Sequence, residues 1–398
     1  MAHCPRLGVL SQHVRSSAVA AQWGVQQPAT ARAAGGLEPP PTAAQREHYD
    51  RLGYVIIDGL VPPDMVRRLL EASNRLVDEA RLGSPPEWLE SSGRTMTGAG
   101  DDSSIDMTRP NPQGRRHTRG EPWHVAGVYH PKANAPVFLE FLGLPRLLDT
   151  AQNFLGGAEL MLGDTGIFTN TPELDMSIGW HRDMAWFRPG DFSEATERAV
   201  WDLRTYDRSP GADTSGRMTD NDDRRINASN RTPEGRGRIK WHMPLLRDAT
   251  FGIVPGSHLR WRTDEERAVL GHYNGDPACV TRAAAGGASK HSELSTGIQL
   301  DLQPGQCLFW NGDCIHRGDT KAAIERRTLV TDCESWDPNQ TVDAVRARGG
   351  SLTQRAGFVW KCQPEVRASM PTERMRVMYD RWLATQPYAV ENGLLHSV

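Results

Sequence analysis

Between Ile239 and Thr331 the chain breaks into short apolar runs separated by turn residues. The runs are Ile239 to Leu246, Phe251 to Val254, Gly297 to Leu302, Gln306 to Trp310 and Thr328 to Thr331, with Pro255-Gly256 and Pro304-Gly305 among the punctuation. Segments this short are strand-sized and do not sustain a helical stripe. Several strands joined by tight turns bury their apolar faces by closing into one sandwich or barrel. The fold expected is therefore mainly β with flanking helices. Helical periodicity is confined to Gln45 to Leu52, to the segment opened by Pro62-Pro63-Asp64, to Val137 to Leu155, and to Thr372 to Ala384. A further strand, Tyr54 to Ile57, stands between Gly53 and Gly59, and Leu160 to Thr169 alternates like another.

Charge excludes some functions. The 46 basic and 49 acidic residues leave a net charge of −3, which argues against a dedicated nucleic-acid binder. No apolar run approaches the roughly 18 residues of a membrane span, so a soluble protein is expected. The six cysteines contain no C-x-x-C pair, and a zinc ribbon or disulfide scaffold is not expected. Residues 1–41 read as a disordered leader, and 42–398 as a single domain interrupted by a polar insertion at about 193–237. The first 37 residues lack Asp and Glu, which suits a mitochondrial presequence. Arg6-Leu7, five residues, then His13-Val14 resembles a type-2 peroxisomal targeting signal, and an inert tail is the third reading.

The chemistry is carried by a His-x-Asp pair. Residues i and i+2 of a strand point the same way, so such a pair can cap one face of Fe(II) with a distant second His and leave positions open. Three His-x-Asp/Glu pairs occur, beginning at His48, His181 and His291, against about 1.6 expected by chance. His48 lies in a helical segment, where i and i+2 diverge, and His291 in a Gly- and Ser-rich loop. His181 and Asp183 are flanked by Trp180, Trp186 and Phe187, which suits a dry cavity. The partner is His316, after the buried strand ending at Trp310, and Arg327 follows it by eleven residues. A buried Arg needs an anion, and a dicarboxylate bridging iron and Arg327 supplies one. Arg326, its neighbour on an extended strand, then points the other way, to solvent.

With these segments in order, the sequence resembles the phytanoyl-CoA dioxygenase (PhyH) family of Fe(II)/2-oxoglutarate-dependent oxygenases over about Tyr49 to Trp336. The match rests on Gly53-Tyr54-Val55-Ile56-Ile57-Asp58-Gly59-Leu60, His181-Arg182-Asp183, Ile253-Val254-Pro255-Gly256-Ser257-His258, and Pro304-Gly305-Gln306 with His316 and Arg327. The resemblance implies a double-stranded β-helix (jelly-roll, cupin-like) core, His181, Asp183 and His316 as iron ligands, and Arg327 and Trp241 at the 2-oxoglutarate. It also implies O2 as oxidant, ascorbate as reductant, and a small organic substrate, an acyl-CoA or a specialised metabolite, that becomes hydroxylated as succinate and CO2 are released. A non-catalytic cupin-like metal- or ligand-binding barrel is the alternative. Two positions depart from the family pattern: Gln306 stands where Asp is frequent, and Gly318 where Ser is common.

Overall fold

The computed structural model describes residues 41–81, 96–97, 105–106, 122–171, 175–182, 238–260, 262–270, 292–312, 314–336 and 356–395. Residues 1–40 of the proposed leader, the insertion at 193–237, Asp183 and His291 lie outside the described residues.

Local sequence dictates the first elements. Thr42 and Gln45 form a reciprocal capping box that opens α1 (Ala43–Leu52), and Gly53, at φ 79°, closes it in the left-handed region that glycine tolerates. Strand β1 (Tyr54–Ile57) follows directly. Pro63 starts α2 (Pro63–Ala80) at the position where its missing N–H costs nothing, and Leu69, Ser73, Leu76, Val77 and Ala80 form its buried stripe. The helical region expected from Val137 to Leu155 is two helices, α3 (Val137–Leu142) and α4 (Pro145–Phe154), because Gly143 ends the first and Pro145 begins the second. The C-terminal layer comprises α6 (Pro364–Ala368), α7 (Glu373–Ala384) with its Thr372 cap, and α8 (Pro387–Glu391), while α5 (Asp264–Leu270) lies beside the smaller sheet.

The remaining strands are β2 (Met96–Thr97), β3 (Ile105–Asp106), β4 (Pro122–Val125), β5 (Leu160–Met161), β6 (Thr165–Thr169), β7 (Met176–His181), β8 (Arg238–Pro244), β9 (Phe251–Ile253), β10 (Ile298–Gln299), β11 (Cys307–Trp310), β12 (His316–Thr320) and β13 (Arg327–Ser335). They form two antiparallel sheets. The larger runs β1-β11-β8-β13-β6-β4-β2 with β5 added against β13, and the smaller runs β10-β9-β12-β7-β3. From β6 onward the chain moves between them: β6, β8, β11 and β13 join the larger sheet, and β7, β9, β10 and β12 the smaller.

The strand expected over Leu160 to Thr169 is broken at Gly163, where a Cβ would strike the Asp332 carbonyl, and Asp332 Oδ1 accepts the Asp164 N–H at 2.9 Å. Both halves, β5 and β6, still pair with β13.

Strand alternation separates two cores. Val55, Ile57, Phe309, Trp241, Met243 and Leu329 face the helices, packing with Leu69, Leu76, Phe138, Phe154, Met378 and Trp382. Tyr54, Leu308 and Trp310 turn the other way, onto Phe251 and Ile253 of the smaller sheet. The helix-side core anchors the larger sheet, and the inter-sheet space holds the polar groups described next. Among the described residues no helix is long and apolar enough to cross a membrane.

Candidate metal centre

His181 closes β7 and His316 opens β12, and the two are cross-strand partners in the smaller sheet. Their ring centroids stand 4.2 Å apart. His181 Nδ1 donates to the Gly179 carbonyl at 2.7 Å, and His316 Nδ1 to the Cys314 carbonyl at 2.9 Å. A carbonyl only accepts, so Nδ1 is the donor in both rings, which places the lone pair of the neutral imidazole on Nε2. This is the orientation that metal-ligating imidazoles adopt, with the second nitrogen tied to a backbone acceptor. The donor set fits a divalent transition metal; Asp183, the expected third ligand, lies outside the described residues. Among the described residues no group of three His, Cys, Asp or Glu side chains is assembled for a metal ion.

The motif around Pro255-Gly256-Ser257 builds the entry to β12. Ser257 Oγ donates to the Val254 carbonyl at 2.7 Å and accepts the Ile315 N–H at 2.8 Å. His258, in the same turn, bonds the Asp50 carbonyl through Nε2 at 3.0 Å, and so ties the turn to α1. The residue before His316 is therefore held by a side chain from the β9 end. Around the pair the walls are aromatic: Trp310 lies 4.2 Å and Phe251 5.7 Å from the His316 ring, centroid to centroid. His242 sits against Phe251, Trp310 and Phe168 on the inner face of β8.

The two neighbouring arginines divide between the layers. Arg326 is 4 % exposed, not solvent-facing as its place beside Arg327 led the sequence reading to expect. Its Nε donates to Asp248 Oδ2 at 3.0 Å and its Nη1 to Thr320 Oγ1 at 3.1 Å, with the guanidinium carbon 4.9 Å from the Phe168 ring centre. Burial alone would raise the Asp248 pKa. The Arg326 charge and hydrogen bonds from Thr250 and Thr328 outweigh it and hold the carboxyl below its usual range. Arg327 faces the helix side: Nε donates to Asn74 Oδ1 of α2 and Nη1 to Thr169 Oγ1, both at 2.9 Å. Trp241 also belongs to that side, fully buried 5.6 Å from Phe309.

Of the residues singled out by sequence, His181 and His316 are thus brought together, while Arg327 and Trp241 stand in the other layer. The sequence reading missed Arg326, Asp248 and Lys240 as inward groups. Lys240 shares the inner face of β8 with His242, and its Nζ lies 5.2 Å over the Trp310 ring. Their signal was strand parity, readable only once the strand limits are known. The two departures from the family pattern are accommodated locally. Gln306 Oε1 accepts the Gln303 N–H at 2.8 Å and its Nε2 donates to Asp58 at 2.9 Å, closing the Gly305 turn. Near Gly318, the Cys314 thiol donates to the Leu52 and Gly53 carbonyls at 3.8 and 3.6 Å.

No protein-family model matches the chain, and no curated protein does. Solved structures with a similar course include AviO1 from Streptomyces viridochromogenes Tue57, at 15 % identity over 77 % of this chain and 98 % of that one, with a TM-score of 0.43. EctD from S. alaskensis with 2-oxoglutarate and 5-hydroxyectoine gives 15 %, 76 %, 79 % and 0.40. The non-heme alpha-ketoglutarate-dependent carbocyclase SnoK from nogalamycin biosynthesis gives 16 %, 76 %, 88 % and 0.40. Likenesses this slight carry no argument about what this chain does.

Proposed function

We propose that this protein is an Fe(II)- and 2-oxoglutarate-dependent oxygenase of PhyH type that hydroxylates a C–H bond of a small organic substrate. The observation behind the reading is the register-matched pair His181 and His316, each with its Nδ1 hydrogen-bonded to a backbone carbonyl as metal-ligating imidazoles are. Strand order supports the fold part of the proposal: two antiparallel sheets, β11-β8-β13-β6 and β10-β9-β12-β7, between which the chain alternates, are consistent with a double-stranded β-helix, or jelly roll.

Asp183 completes the ligand set in this proposal, since two imidazoles and one carboxylate leave positions of Fe(II) open. When bound with 2-oxoglutarate, iron supplies the activation of O2 that side chains cannot, coupling release of succinate and CO2 to substrate oxidation, with ascorbate as a maintaining reductant. The chain's own groups bind, orient and exclude water. His181 and His316 donate their Nε2 lone pairs. Trp310 and Phe251 keep the pair in an apolar wall, where electrostatic contacts are stronger than in water. Arg327 and Trp241, which the resemblance assigned to the cosubstrate, face the helices, so the grip on its distal carboxylate passes to Arg326. Nε and Nη1 of Arg326 are engaged by Asp248 and Thr320, and its Nη2 makes no hydrogen bond among the described residues. Asp248 and Thr320 hold the fork in one orientation, with that nitrogen toward the carboxylate.

The test is iron content after anaerobic reconstitution together with succinate release. Wild-type protein is expected to bind iron stoichiometrically and release succinate, and His181→Ala and His316→Ala to lose both. Arg326→Ala should raise the KM for 2-oxoglutarate by about thirty-fold or more, the loss of a charge-assisted contact, and Arg327→Ala should leave that KM near wild type. Wild-type protein that binds no iron and releases no succinate would leave the non-catalytic barrel as the reading.

A further inference from the structure

Between His181 and Asp183, the ligands proposed above, stands Arg182, only 2 % exposed. Extended backbone sends alternate side chains to opposite faces, so Arg182 leaves on the side away from His181, as Trp180 does before it. That outer side of the smaller sheet is covered by α5. Trp180 is buried there in one apolar cluster with Val269 and Leu270 of the helix and with Ile315.

Arg182 Nη2 donates to the Arg260 carbonyl at 3.0 Å. Arg260 directly follows the short helical turn Ser257–Leu259, whose Ser257 hydroxyl accepts the Ile315 N–H. One turn therefore reaches the strand ends that carry both histidines. That turn is anchored in its own right by Glu266, fully buried in the first turn of α5. Arg260 Nη1 and Nη2 donate to its two carboxylate oxygens, each at 2.7 Å. The Thr263 N–H adds a third bond at 2.8 Å, and Thr263 Oγ1 accepts the Glu266 N–H in return at 3.2 Å. Burial alone would raise the Glu266 pKa. Hydrogen bonds from Arg260 and Thr263, with the charges of Arg260 and Arg182, outweigh it and hold the carboxyl below its usual range. The carboxylate thus feels two guanidinium groups, one in the turn and one behind the metal motif. Displacing it would expose an uncompensated charge to a poorly polarisable interior, which fixes its place.

Resting on the oxygenase reading, we infer that Glu266 is a positioning residue for the metal centre: through Arg260 and Arg182 it holds the backbone from which His181 and Asp183 project. Glu266 lies on the outer side of the sheet and touches no reacting atom. Groups that orient metal ligands in this way account for about ten- to a hundred-fold in metal affinity.

The probe is Co(II), whose visible absorption reports coordination without oxygen or turnover. The full chain, freed of metal, is titrated with it. Glu266→Gln, which keeps the shape and removes the charge, and Arg182→Met should each weaken Co(II) binding about ten-fold or more. The double variant should bind no more weakly than the weaker single one, since both act along one path. Arg182→Lys should recover most of the affinity. Asp380→Asn is the control. Asp380 is likewise buried and gripped at two points by Arg367, both at 2.8 Å, but in the helical layer behind the larger sheet. It should lower the thermal midpoint as Glu266→Gln does and leave Co(II) affinity at the wild-type value. Wild-type affinity in Glu266→Gln, additive losses in the double variant, or an equal loss in Asp380→Asn overturns the inference. Wild-type affinity in Arg182→Met overturns it as well, so the test stands even where Glu266→Gln fails to fold. Wild-type protein that binds Co(II) alongside unaffected variants removes the positioning role alone, whereas wild-type protein that binds no metal removes the oxygenase reading with it.

Discussion

At the scale of single residues, Asp248 and Arg326 form an ion pair buried on both sides. Both are almost wholly buried and joined at 3.0 Å. Removing one partner strands the other charge in a poorly polarisable interior, so Asp248→Asn should cost about 3–5 kcal/mol in urea unfolding. The pH dependence has a definite sign. The Asp248 carboxyl is held below the ordinary carboxylate range by the Arg326 charge and its hydrogen bonds, so the folded state binds its proton less readily than the unfolded chain. The stabilisation is fully present above the ordinary carboxylate range and drains away as pH falls through the lowered value. The wild-type urea midpoint should fall in that window, and in Asp248→Asn this contribution to the slope should vanish; an unchanged slope would sink the assignment. Lys361 shows the opposite situation. It is fully buried between the Tyr129 and Trp382 rings, and burial lowers its pKa. Its burial penalty acts in full below the lowered value and is relieved as pH rises from there toward 10.5.

At the scale of elements, the positioning of His316 is a property of the β9–β12 junction. Ser257 Oγ accepts the Ile315 N–H and donates to the Val254 carbonyl. Ser257→Ala leaves a buried N–H without its acceptor, at a cost of about 1–3 kcal/mol. In the proposed enzyme the same change should weaken iron affinity more than Thr42→Ala, which removes the capping box of α1 at the far end of that helix; equal effects on iron would mean the junction does not position His316. The turn between β5 and β6 makes a second case. A side chain at Gly163 would collide with the Asp332 backbone carbonyl, so Gly163→Ala forces β6 away from β13 and should lower the unfolding midpoint clearly, whereas Gly157→Ala meets no atom and acts only through its φ of 82°. Helix boundaries were readable because caps and prolines are local signals. The break at Gly163 was not, since apolar alternation runs across it, and at α3/α4 the apolar periodicity masked the local Gly143 and Pro145 signals.

At the scale of the whole molecule, the larger sheet is held from behind by helices far apart in sequence. Met375, Met378, Tyr379, Trp382 and Leu383 of α7 join the same cluster as Leu69 and Leu76 of α2, and the Leu162 N–H bonds the Met378 carbonyl. A chain ending before residue 356 exposes that sheet face. It should lose its cooperative thermal transition and bind hydrophobic dyes, as a cooperatively folded two-layer structure predicts; a cooperative melt in the truncated chain would show that the C-terminal layer is dispensable. The sequence alone determined that the chain would fold into short strands with flanking helices, where most strands lie, and that His181 and His316 are separated by strands able to pair them. Those properties follow from periodicity and turn chemistry, which act over a few residues. Which face each inward group takes was decided only by the tertiary structure. Arg326 and Arg327, or Lys240 and Trp241, are adjacent in the chain, and one residue of register moves a side chain from the inter-sheet space to the helix-packed core. That register is set by hydrogen bonding to β6, β8 and β11 and by the packing of α2 and α7, contacts between residues far apart in the chain.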